Sequence, residues 1–180
     1  MLRRSLLTSA IAASLLTTFS LPTFATQVYE TDLVIIGGGL SGLAAAQSAV
    51  DQGAKPIVLE KEAALGGGGN FPEGSLGVGT RYQKEHNINT TVDQVLTAAL
   101  QYHHYRADPH VLRVLIEESG KTIDWVMDKG AQMRGIRTMY PKDESLMTWH
   151  LFKGGAAGII QRFAKEVRAK GGTILTETPA

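Results

Sequence analysis

A short apolar run ending in three glycines constrains this chain more than any other feature. Leu33-Val34-Ile35-Ile36 leads into Gly37-Gly38-Gly39-Leu40-Ser41-Gly42, and a second run, Pro56-Ile57-Val58-Leu59, closes on Glu60. Gly37, Gly39 and Gly42 occupy the three glycine places of G-x-G-x-x-G, where a strand turns into a helix. Each has a job: the tight turn, the close approach of a pyrophosphate to the backbone, and the packing of helix on strand. The helix start presents unpaired N–H groups and a positive dipole end to phosphate. Glu60 lies 18 residues beyond Gly42, where a carboxylate can accept hydrogen bonds from ribose hydroxyls. The same carboxylate disfavours NADP, whose 2′-phosphate would meet a negative charge. Strand, glycines, helix and acid together predict a βαβ unit that binds an adenine dinucleotide.

The first 25 residues read as an export signal and stand outside the fold. Arg3 and Arg4 form a basic start, Leu6 to Leu21 is an apolar stretch diluted by Ser, Thr and Ala, and Thr23-Phe24-Ala25 supplies small residues at a cleavage site. The stretch is too short and too weakly apolar for a stable membrane anchor, and no basic stop sequence follows it. The arginine pair followed by Leu6 and Leu7 also matches a twin-arginine signal, a route that carries folded proteins to the periplasm. Without Arg3 and Arg4, 16 basic residues face 17 acidic ones, a net charge of −1 instead of +1. Nothing in that balance suits nucleic acid or a membrane surface. The chain has no cysteine, which excludes disulfides, thiolate chemistry, iron–sulfur ligation and C-x-x-C-H haem attachment within it.

Past the second strand, residues 61–82 are glycine-rich and without clear periodicity, and a loop of that length in a compact domain is usually functional. Gly66-Gly67-Gly68-Gly69-Asn70 opens it, at the carboxyl end of a strand, where ligands bind in open α/β sheets. Helical periodicity then recurs: Val92, Val95, Leu96, Ala99 and Leu100 share one face. Asp108 followed by Pro109 marks a helix start, with Val111, Leu112, Leu115 and Ile116 as its expected buried stripe and Gly120 as its expected stop. Ile123, Val126 and Met127 predict a short helix ended by Gly130. Residues 136–149 read as irregular with short strands. A last helix, with Ile159, Ile160, Phe163 and Val167 inward, precedes a strand over residues 173–178. Among the histidines, adjacent His103 and His104 point to different helix faces and suit no shared metal, and His110 and His86 read as surface positions. His150, just before Gly154-Gly155, is the one nearest to a site, though packing is its simpler reading.

The pattern GGGLSG, then VLEK, then GGGNFPEGSLG resembles the FAD-binding domain of the fumarate reductase and succinate dehydrogenase flavoprotein family, which includes periplasmic flavocytochrome fumarate reductases and 3-oxosteroid dehydrogenases. The stretch from Thr122 to Ala131 resembles the family's helix ending W-L-x-x-K-G-A, and Trp149 to Gly155 resembles the segment before its next helix. The resemblance covers residues 30–180 and about the first third of a typical member. It implies an α/β fold: a Rossmann-like FAD-binding domain with a parallel sheet, of the type with two dinucleotide-binding domains, here incomplete, with the capping and catalytic segments absent. Carried over by position, Gly37, Gly39, Leu40, Ser41 and Gly42 match the pyrophosphate turn, and Glu60 the ribose acid. Asn70 matches the asparagine on the flavin side, and Gly74 and Ser75 fall in the continuing flavin loop. Four glycines precede Asn70 where two are usual, which leaves the register there open. No histidine stands where the succinate dehydrogenase branch attaches FAD, so the cofactor is expected to be non-covalent.

The resemblance further implies an FAD-dependent oxidoreductase moving a hydride between flavin and an activated C=C bond, with an unsaturated carboxylate or steroid-like small molecule as substrate. The family's catalytic residues lie in later segments, so none is assigned here and the 180-residue chain is expected not to turn over alone. The export signal runs almost directly into the first strand, so electrons are expected from a separate periplasmic carrier or a further domain in place of an N-terminal haem domain. Two other readings stay open on the residues: an NAD-dependent dehydrogenase, against which the loop after Glu60 argues, and a non-catalytic FAD-binding remnant.

Overall fold

In the computed structural model, which describes residues 27–139 and 146–180, the glycine-flanked apolar runs become parallel strands. β1 (Leu33–Ile36) pairs with β2 (Pro56–Leu59), and β2 pairs with the last strand, β6 (Thr173–Leu175). β2 is the central strand of the three. Between β1 and β2 runs α1 (Leu40–Asp51), whose buried face includes Leu43, Ala46 and Val50 as its spacing predicts. α5 (Gly155–Ala169) precedes β6 and buries Ile159, Ile160, Phe163 and Val167, also as predicted. Ile35, Ala46, Val50, Val58 and Val167 form one cluster, so α1 and α5 cover the same face of the sheet. Their small and branched side chains allow that close approach, and each fully buried Val, Leu, Ile or Phe contributes about 1.5–3 kcal/mol. The expected parallel α/β sheet is therefore present over the unit Thr31–Ala180.

The glycine-rich stretch is more ordered than its composition suggests. Gly67–Asn70 forms a single 3₁₀ turn, β3 (Gly74–Leu76) follows, and α2 (Arg81–Glu85) starts at a capping box between Thr80 and Gln83. β3 belongs to a second, antiparallel sheet in the order β3-β5-β4, with β4 at Met133–Thr138 and β5 at Met147–Phe152. The short strands expected within residues 136–149 are the end of β4 and the start of β5, paired with each other; residues 140–145 lie outside the described ones.

α3 (Val92–Tyr102) buries Val95, Leu96 and Ala99. α4 (Pro109–Asp128) corrects two expectations. Asp108 caps it as predicted, accepting hydrogen bonds from the amides of His110 (2.8 Å) and Val111 (3.4 Å). The helix does not stop at Gly120, however, but runs on through the segment read as a separate short helix. Gly120 is there for space: a β-carbon on it would overlap the Val78 carbonyl. The inward face is also displaced. Ile116, Ser119, Gly120, Ile123 and Val126 are buried, while Val111 and Leu115, assigned to the buried stripe, are exposed. The helix turns to the core the side that lets the 77–80 turn touch its backbone, and that contact outweighs the apolar stripe of its first two turns. The expected export signal, residues 1–25, lies outside the described residues.

Candidate FAD-binding site

Two glycine-rich segments distant in sequence meet at the start of α1. Gly37 holds φ at 97°, a conformation that favours glycine, and its amide donates to the Leu59 carbonyl at 2.7 Å, which ties the turn to β2. A β-carbon on Gly42 would overlap the carbonyl of Gly37, so the helix leaves the strand as closely as backbone allows. α1 has no side-chain cap and no acidic residue in its first turn. Its first amides, those of Leu40, Ser41 and Gly42, have no intrahelical acceptor by helix geometry. They form an electropositive rim suited to a diphosphate.

The second segment lies against this rim. Gly66 bridges Gly39 in parallel fashion, its amide donating to the Gly38 carbonyl at 2.9 Å. Gly69 sits against Leu40 and Ile160. Asn70 folds back, its side-chain amide donating to the Leu65 carbonyl at 2.9 Å, and fills the space a side chain on Gly66 would need. A β-carbon on Gly67 or Gly68 would meet nothing. This settles which of the four glycines carry the contacts: Gly66 and Gly69 do, and the two between them form the open turn.

Glu60 closes the group. It is 8% exposed. Its Oε2 accepts from the Gly38 amide at 2.7 Å and its Oε1 from the Glu62 amide at 2.9 Å. These amides of Glu62 and Gly38 hold its carboxyl below the usual carboxylate range. A carboxylate has about four acceptor positions, so the Gly38 and Glu62 amides do not exhaust its capacity for hydroxyl donors while they hold the side chain rigid. Its backbone is fixed as well, with its amide on the Leu175 carbonyl and its carbonyl accepting from Thr178, both at 2.8 Å. The G-x-G-x-x-G pattern does not single out Gly38 or Leu65, yet both shape the site: a β-carbon on Gly38 would run into Leu65 and Glu60. The signal was the unbroken triplet at 37–39, one glycine more than the motif asks for.

The structure thus brings together Gly37, Gly39, Leu40, Gly42 and Glu60 with the turn at Gly66–Asn70, and Ser41 is exposed on the first turn of α1. Gly74 and Ser75 sit elsewhere, on β3, paired with Leu151 and His150 of β5. No hydrogen bond among the described residues joins them to the β1–α1 turn. His150 is fully buried and hydrogen-bonded at both ring nitrogens, to Thr80 Oγ1 (2.8 Å) and the Thr148 carbonyl (3.0 Å). Burial pushes its imidazole below the ordinary histidine value. His103 and His104 lie exposed at the end of α3, and no group of three or more metal-ligating side chains occurs among the described residues.

Comparison with known proteins gives one consistent picture. A family model described as FAD binding domain matches residues 32–180. The vinyl phenol reductase of Lactiplantibacillus plantarum is 35% identical over 150 residues, which is 83% of this chain and 30% of that protein. The NADH:fumarate oxidoreductase of Klebsiella pneumoniae is 31% identical over 143 residues, 73% of this chain and 15% of that one. Among solved structures, the open conformation of a flavocytochrome c3 fumarate reductase superposes with a TM-score of 0.68 at 21% identity, covering 82% of this chain and 26% of that one. The chain therefore spans less than a third of the length of the curated relatives named here.

Proposed function

The chain belongs to the FAD binding domain family, and from that premise we propose that it is the cofactor-gripping part of an exported FAD-dependent oxidoreductase of the fumarate reductase type. The observation that carries the proposal is the meeting of three elements at one point: the uncapped start of α1, the Gly66–Asn70 turn and the buried Glu60. Leu40, Ser41 and Gly42 would hold the pyrophosphate by their amides, with Gly37 and Gly39 keeping the backbone bare. Glu60 would accept the adenosine ribose hydroxyls on the lone pairs its two amide donors leave free. Asn70, Gly74 and Ser75 would face the flavin half. No histidine occurs between Lys61 and Tyr82, so the cofactor is held without a covalent bond.

When bound, FAD supplies hydride transfer between its flavin ring and a carbon substrate. The chain's own part is to orient the dinucleotide and to exclude water from its diphosphate. Vinyl phenol and fumarate, named in two relatives, share a C=C bond conjugated to an aromatic ring or a carboxylate. A small molecule with such a bond, an unsaturated carboxylate or a steroid-like enone, is the proposed substrate class of the whole enzyme. The proposed electron source is a separate periplasmic carrier.

The purified chain, equilibrated with FAD and dialysed, should retain a yellow flavin band, and denaturation should release all of it into the supernatant. Glu60→Lys should raise the dissociation constant about tenfold or more, since it removes a charged acceptor and places a cation beside ribose. Retention of NAD in place of FAD would favour a nicotinamide-dependent dehydrogenase, and an unchanged affinity in Glu60→Lys would remove the ribose role. Export by the twin-arginine route predicts that Arg3→Lys combined with Arg4→Lys leaves the protein in the cytoplasm; unchanged delivery to the periplasm would refute that route.

A further inference from the structure

The histidine that the proposed site does not use is the most completely engaged side chain in the second sheet. The Thr148 carbonyl can only accept, so His150 Nδ1 carries the ring hydrogen of the neutral imidazole and Nε2 is an acceptor. The Thr80 hydroxyl must then donate to Nε2 across 2.8 Å. Its oxygen meanwhile accepts the Gln83 amide at 3.0 Å, as the cap of α2. The imidazole also touches backbone: a β-carbon on Gly77 would come within 2.8 Å of its Cε1 and Nδ1. The backbone of His150 lies so close under Gly74 that a β-carbon there would overlap its carbonyl. One residue thus touches Gly74, Gly77 and Thr80 along the run from β3 to the start of α2, which Ser119 of α4 also holds by accepting from the Val78 amide at 3.1 Å.

We infer that His150 is a positioning residue for the flavin-side strand: as the neutral imidazole it holds β3 and the turn at Gly77–Thr80 in place, and its protonation loosens the hold on FAD. The inference rests on the reading of Gly74 and Ser75 as flavin-side residues. A proton added at Nε2 would point at the Thr80 oxygen and force the hydroxyl hydrogen to turn away. Its other acceptor, Gln83 Oε1, is 3.4 Å off and already takes the Thr80 amide at 3.1 Å. No carboxylate among the described residues hydrogen-bonds the ring to stabilise the charge. From α4, Asp124 acts on it only at a distance and is engaged by Arg81. From α2, Tyr82 meets it edge-on at 6.0 Å and stacks on His86. From β4, its partner is the apolar Ile136, and Arg137 pairs one position along. A fully buried imidazolium without an ion-pair partner is costly, so the charged form weakens the seating of the strand. Burial favours the neutral form and pushes the imidazole below the ordinary histidine value.

The test is reciprocal coupling in the wild-type chain. If FAD selects neutral His150, saturating FAD must make that ring harder to protonate by the factor by which protonation weakens FAD. Ring-nitrogen NMR should show the Nδ1–H tautomer, and FAD should lower the titration midpoint of His150 by about half a pH unit or more, roughly a threefold coupling. A midpoint unmoved by FAD overturns the inference, because a purely structural histidine gives that result. In His150→Gln, which can take the Thr80 hydrogen bond but binds no proton, FAD affinity should lose the pH dependence that wild type shows across the titration of His150; a dependence as strong as in wild type also overturns it. Should wild type bind no FAD at any pH, the reading of the site fails first, and that failure is recognised by Glu60→Lys behaving like wild type.

Discussion

Glycine at position 120 shows how opposing local terms are decided by a single contact. In an isolated helix, replacing it with alanine would stabilise by about 1 kcal/mol. Here a methyl group would press into the Val78 carbonyl, and overpacking of that kind costs about 1–3 kcal/mol or more. The rigid backbone partner makes the second term win. Gly120→Ala is therefore expected to lower stability by up to about 2 kcal/mol net, read as a lower urea midpoint; a higher midpoint would show that the turn at 77–80 can move away. Gly42 against the Gly37 carbonyl is the same situation inside the cofactor site. At Glu60 the residue scale is electrostatic: two amide donors hold the carboxylate ionised and aimed, before any ligand arrives.

At the scale of elements, three helix ends are fastened by one carboxylate. Asp51, the last residue of α1, meets Lys129 at the end of α4 (2.6 Å) and Lys170 at the end of α5 (2.5 Å). Those two hydrogen-bonded lysines lower its carboxyl from 3.8 to about 2. Since the folded value lies below the unfolded one, the stabilisation is complete above pH 3.8 and is lost as the pH falls through about 2. The cluster is partly open to solvent, which reduces its strength, so Asp51→Asn should cost about 1 kcal/mol near pH 6. The gap between wild type and variant in denaturant titrations should close between pH 4 and pH 2. A gap independent of pH would mean that the aspartate acts by packing and not by charge. The same three helices hold the core cluster of Leu43, Ile123, Ile159 and Phe163, so the ion pairs align elements that apolar burial already joins.

At the scale of the whole described unit, the parallel sheet is covered on one side and open on the other. β1 is one of its two outer strands, and Val34 and Ile36 are 53% and 74% exposed. An apolar outer strand with exposed side chains is a template for pairing with another chain. The purified chain is expected to self-associate in a concentration-dependent way, and Ile36→Lys, which puts a charge on the open face, should shift light scattering toward the monomer. Equal scattering from both proteins would show that the strand is not the contact.

The elements that periodicity and punctuation can specify were legible without coordinates: the β1–α1–β2 unit, the inward face of α5 and the Asp108 cap all depend on residues within a few positions of one another. Glu60 at its expected distance from the glycines belongs with them, since a crossover helix sets that spacing. Other features depended on contacts between distant residues. The face α4 buries was set by where the 77–80 turn meets Gly120, and the choice among the four glycines by which of them touch Gly39 and Leu40. Apolar pattern is a local quantity and reports what a segment could bury; only the packed chain decides which side finds a partner, because van der Waals contact and hydrogen bonding require atoms that the sequence places tens of residues away.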